Sequence, residues 1–159
     1  MMEFATWLSE TGMSRQIQSH LWVIPALQSI HILAIACVLS STLFINLRLL
    51  RQVDRAHSLE ETAQRFLPWI WCALGVLVLT GVLLVIGEPV RELTSVPFWL
   101  KMVLILIGAA GTLWFQRTLK TPEAGWDLTR SKTRVRVFAC GTFLLWCAVI
   151  TAGRLIAYV

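Results

Sequence analysis

Residues 21–50 read LWVIPALQSIHILAIACVLSSTLFINLRLL, and up to Arg48 the only ionisable side chains among them are His31 and the thiol of Cys37. A helix of about 20 apolar residues crosses the roughly 30 Å hydrocarbon core of a bilayer. This run exceeds that length, so it predicts a first span from about His20 to Leu50 that tilts or projects from the membrane. Three further runs follow, from about Phe66 to Gly87, Val96 to Leu119 and Val135 to Val159. Within lipid, backbone polar groups are satisfied only in helices or closed barrels, and unbroken apolar runs of this length exclude a barrel. The expected fold is therefore all-α, a single integral membrane four-helix bundle covering residues 1–159. Pro68 and Pro97 suit the first turns of the second and third spans, where a missing N–H costs nothing. Gly87 and Pro89 close the second span.

The remainder of the chain fits the same frame. Residues 1–19 are polar and mixed, with Phe4, Trp7 and Leu8 at helical spacing, which suggests one short helix lying at the interface. They lack the basic start and apolar core of a cleavable signal. Of the 159 residues, 57% are hydrophobic and 14% charged; a soluble domain carries nearer one quarter charged residues.

The net charge of +5 does not point to nucleic acid, because the cations sit in the gaps between spans. Arg48, Arg51, Arg55 and Arg65 flank the first connection; Arg117, Lys120, Arg130, Lys132, Arg134 and Arg136 flank the third. The opposite side holds Arg15, Arg91, Lys101 and Arg154. Cationic loops stay in the cytoplasm, so both termini are expected outside. Trp22 and Trp99 near the outer ends, and Trp69, Trp71 and Trp114 near the inner ends, match aromatic belts; Trp146 is the exception, deep in the fourth span. Gly108, Gly111 and Thr112 in the third span and Ala148 and Ala152 in the fourth mark faces where helices can approach closely. Cys37, Cys72, Cys140 and Cys147 lie inside apolar runs without metal-ligand spacing and read as small buried hydrophobes.

Ionisable groups within spans are costly and point to function. His31 lies about eleven residues into the first span, and Gln28, Thr42 and Asn46 share its face, forming one polar stripe turned toward the bundle. His20 lies on that face nearer the surface and reads as interfacial; His57 reads as a solvated loop residue. Lys101, Arg154 and Glu88 fall near the outer ends of their spans. Either these cations snorkel to headgroups, or they form an anion site above His31. A porphyrin satisfies the second arrangement, with iron on His31, propionates on Lys101 and Arg154, and Gln28 steadying the ring. There is no HExxH, GxSxG, Walker loop or GxGxxG. No second histidine stands on a facing span.

The stretch 21–50, with LPWIW at 67–71, TGVLL at 80–84, PFWLKM at 97–102 and AGRLIAY at 152–158, resembles uncharacterised bacterial four-span membrane proteins over nearly the whole chain. More distantly, a histidine in the first span and a lysine opening the third resemble the HemJ-type protoporphyrinogen oxidases and the copper-resistance D-like membrane domain. That likeness implies His31 as haem ligand and Lys101 as an essential lysine. Asn46 and Gln116 depart from the pattern, standing where relatives tend to carry Asp and His.

The leading expectation is a haem b-binding protein of the bacterial inner membrane, in electron transfer or porphyrin redox chemistry. Its site residues are His31 as metal ligand, with Lys101, Arg154 and Gln28. The alternatives are a non-enzymatic scaffold subunit and a copper uptake or transport protein. A homodimer or a larger membrane complex is an expected setting for so small a chain.

Overall fold

The computed structural model describes residues 2–50, 59–119 and 132–156; His57, Arg51, Arg55, Lys120 and Arg130 lie outside them. All regular structure among the described residues is helical. Two short helices, α1 (Met2–Ser9) and α2 (Gly12–Ser19), precede the long α3 (Val23–Leu49) and α4 (Leu59–Gly87). A short α5 (Pro89–Thr94) leads into α6 (Val96–Leu119), and α7 (Lys132–Leu155) completes the chain. The spans α3, α4, α6 and α7 are long and apolar enough to cross a membrane, which makes this a multi-pass membrane protein. They run up and down in turn. α1, α2 and α5 gather at one end, here the capped end.

Lipid tails are as apolar as a protein interior, so burial alone does not select one arrangement of spans; close packing and polar bridges do. α3 packs along α4, α6 along α7, and α3 also meets α7, whereas α4 and α6 barely touch. The core centres on Val38, Trp146 and Val149, none more than 1% exposed. Gly108 is what admits Trp146: a Cβ there would lie 3.0 Å from Leu145 Cδ2 and 3.1 Å from Trp146 Cζ2. Toward the other end the Asn46 amide donates to the Ala139 carbonyl and to Thr142 Oγ1, both at 3.0 Å, tying α3 to α7. The Trp71 indole N–H donates to Gln116 Oε1 at 3.1 Å and joins α4 to α6. Asn46 and Gln116 thus act as neutral helix-to-helix ties.

Several boundaries differ from the sequence reading. The expected single interfacial helix is two, because Thr11 caps α2 through Ser14 N–H. His20 is the extended C-cap of α2, so α3 starts three residues later and His20 does not share its helix with His31. α4 starts at Leu59 rather than near Phe66, with Glu60 and Glu61 in its first turn where the helix dipole favours anions. Pro68 therefore lies inside α4 and removes the bond to the Gln64 carbonyl. Pro97 does fall in the first turn of α6. Pro89 opens α5, a helix the sequence reading did not anticipate. Ala152 is buried, but Ala148 is exposed and Gly111 has nothing near its Cβ position, so neither makes a close approach. Cys72 and Cys140 are exposed on the bundle surface rather than buried.

Candidate functional site

His31 is buried on α3, eight residues below Val23 and hence roughly 12 Å down the helix axis. Its face is the expected polar stripe: Thr42 and Asn46 are also buried, and Gln28 is half-buried. What holds the ring is a residue the sequence reading did not assign, Thr80 of α4. The Thr80 hydroxyl lies 2.7 Å from the Val76 carbonyl, one turn earlier, and donates to it. Its oxygen is then free to accept, and His31 Nδ1 stands 2.7 Å away. This order of donors places the ring proton on Nδ1 and leaves Nε2 with a bare lone pair.

That lone pair faces Lys101. Nζ lies 2.9 Å from Nε2 and donates to it. The backbones of α3 and α6 do not approach each other, and the lysine stem reaches from α6 to His31 on α3. A line of three groups results, from α6 through α3 to α4. Both flanks of the nitrogen pair are glycine. A Cβ on Gly81 would lie 3.7 Å from His31 Cε1, and one on Gly153 would lie 3.5 Å from Lys101 Nζ. The TGVLL stretch contains Thr80 and Gly81, and a threonine inside an apolar run was the signal available to find them.

The other expected site residues are placed differently. Gln28, one turn before His31, makes no bond to the ring, because Thr80 and Lys101 already take both nitrogens. Arg154 is exposed, one residue beyond the Gly153 that lies against Lys101. Lys101 as a propionate partner would have to stand away from Nε2, whereas it stands on it. Among the described residues no group of three His, Cys, Asp or Glu side chains gathers as a metal cluster. Cavities of about 380 Å³ at the capped end and about 260 Å³ between α4 and α6 are lined by neither His31 nor Lys101.

Among the described residues no carboxylate makes an ion pair with Lys101, although Glu92 of α5 acts on it through its charge. Burial pushes the Glu92 carboxyl above its ordinary range, Lys101 and Arg91 pull it back, and Glu88 adds to the rise. The folded protein thus favours the neutral acid. Its contribution to stability is complete at acid pH and is lost as pH rises through the elevated value. Glu92→Gln is expected to lessen the fall in Tm above the ordinary carboxylate range and to leave Tm at lower pH unchanged. Equal falls in both proteins would show that Glu92 is not the group responsible.

A family model described as "Family of unknown function (DUF6644)" matches residues 10–159. No curated protein matches the chain, and no solved structure does.

Proposed function

We propose that this chain, a member of the DUF6644 family, is a small haem b-binding protein of the bacterial inner membrane, working in electron transfer or porphyrin redox chemistry, with His31 as an axial ligand. The observation that carries the reading is the set of the His31 ring: Nδ1 anchored on Thr80, Nε2 turned into the bundle toward Lys101. Ligating histidines characteristically donate their second ring N–H to a fixed partner, which sets the tautomer and the aim of the ligating nitrogen. A helix-locking histidine needs no second basic nitrogen opposite it. A cation partly withdrawn from water usually has an anion as partner; half-buried Lys101 is hydrogen-bonded to the His31 imidazole instead. The distant likeness to HemJ-type oxidases and copper-resistance D-like domains favours the same two residues.

Bound haem would supply one-electron chemistry at iron. The protein's part is to aim and to shield. Thr80 fixes the ring through Nδ1. Burial in α3 keeps bulk water from Nε2. Gly81 and Gly153 bring the backbones of α4 and α7 up against the pair. Arg154, exposed one residue beyond Gly153, would be the cation that meets an acidic edge of the porphyrin. The count of basic residues would place the capped end outside.

The test is the absorption spectrum of protein purified in detergent after expression with ample haem, oxidised and then reduced with dithionite. A Soret band with sharpened bands on reduction is expected. A colourless protein would overturn the reading and favour the scaffold alternative. That alternative has its own support: both ring nitrogens already have protein partners, which is how a purely structural lock between helices would look.

A further inference from the structure

We propose that the recess between α4 and α6 binds the headgroup of a lipid-soluble quinol. This site goes beyond the haem reading and does not need it, since the recess shares no residue with His31 or Lys101. Its volume is about 260 Å³. Sites for drug-sized molecules begin at roughly 300 Å³, so this one suits a single substituted ring with its tail outside. Trp71 and Gln116 are half-buried, whereas Glu60, Gln64 and Pro68 are exposed, so the recess opens on the bundle surface. Glu60 and Gln64 belong to the polar start of α4, and Leu67 and Trp71 to its apolar run. The lining thus passes from polar to apolar along the helix, and an amphiphile with a polar ring and an apolar tail matches that gradient.

Two groups of the lining keep hydrogen-bonding capacity to spare. The Trp71 indole can only donate, and the Gln116 oxygen takes its N–H at 3.1 Å. That fixes the amide. Gln116 Nε2 is left with two N–H groups, and it makes no hydrogen bond among the described residues. Across the seam, Pro68 has no N–H to give the Gln64 carbonyl. The Gln64 side chain is occupied, donating to Glu60 Oε1 at 3.2 Å. The recess therefore offers a donor from α6 and an acceptor from α4. A hydroxyl uses both, accepting from Gln116 and donating to the Gln64 carbonyl. A quinone oxygen only accepts and uses one of them. A phospholipid ester also only accepts, and it has no ring to lay on the Trp71 face. α4 and α6 barely touch, so the tail leaves through the seam without parting packed helices.

The test is equilibrium binding of decylubiquinol and decylubiquinone to the full chain purified in detergent, under argon. Both ligands are expected to bind saturably, near one per chain, with the quinol tighter. Gln116→Glu keeps an oxygen for Trp71 and removes the donor. It should weaken both ligands about threefold to tenfold, the worth of one net hydrogen bond. Pro68→Ala returns an N–H to the Gln64 carbonyl and removes a helix-breaking residue, so the fold is not at risk. It should weaken the quinol about threefold and leave the quinone unchanged. No saturable binding to wild type, or binding that neither variant changes, overturns the proposal. Displacement of bound quinol by phosphatidylcholine at equal concentration also overturns it, and marks the recess as an acyl-chain groove. None of these readouts depends on haem content.

Discussion

Trp146→Ala is expected to lower the stability of the folded bundle by about 3 kcal/mol, at the low end of the range for removing a buried tryptophan. The ring is 1% exposed and packs at the centre of the main core cluster. In a soluble protein the loss combines a transfer term with a cavity term. Lipid is as apolar as the protein interior, so here the cavity term and lost dispersion contacts dominate. The gap opens beside Gly108, where α6 packs against Leu145 and Trp146 of α7. Because Lys101 rides on α6, the variant should also loosen the Lys101–His31 contact. Unfolding in mixed detergent measures the first effect, and Trp146→Phe should recover part of the loss. A change below about 0.5 kcal/mol, the range of ordinary surface substitutions, would mean that α6 does not dock on Trp146.

His31→Ala and Lys101→Met, each made alone and then together in protein freed of any cofactor, should fail to add. His31→Ala leaves the lysine nitrogen inside the bundle without its acceptor, at an expected cost of about 2 kcal/mol. Lys101→Met removes the donor and keeps a flexible apolar stem of similar length, so it should cost less, about 1 kcal/mol. Once either partner is gone, losing the other matters little. The double variant should therefore be less destabilised than the sum by about 1–2 kcal/mol. Strict additivity would show that the two side chains do not meet. The expectation holds under both the haem and the scaffold readings, because it tests only the contact at 2.9 Å.

Length and hydropathy decide the number of spans directly, since the bilayer fixes how many residues a helix needs. They decide helix ends less well. α4 continues as a polar helix from Leu59, outside the apolar window, and hydropathy is blind to such an extension. The polar stripe of His31, Thr42 and Asn46 was legible because helical periodicity needs no partner. Which residue of another helix would meet His31 was not legible. Thr80 follows from the register between α3 and α4, and that register depends on packing that no single-helix pattern contains. The pairing of Lys101 with His31 was open for the same reason: chain position put His31 about eleven residues into its span and Lys101 near the outer end of its own, and it could not give the face that each presents. Cys72 and Cys140 were misread because an apolar run in a membrane span has a lipid-facing side as well as a buried one.

The most direct test of the central claim is the haem content per chain of purified wild type and His31→Ala, expressed side by side and compared at equal folded protein. The account predicts close to one haem per wild-type chain and almost none in His31→Ala. Haem bound equally by both proteins, or by neither, would contradict it.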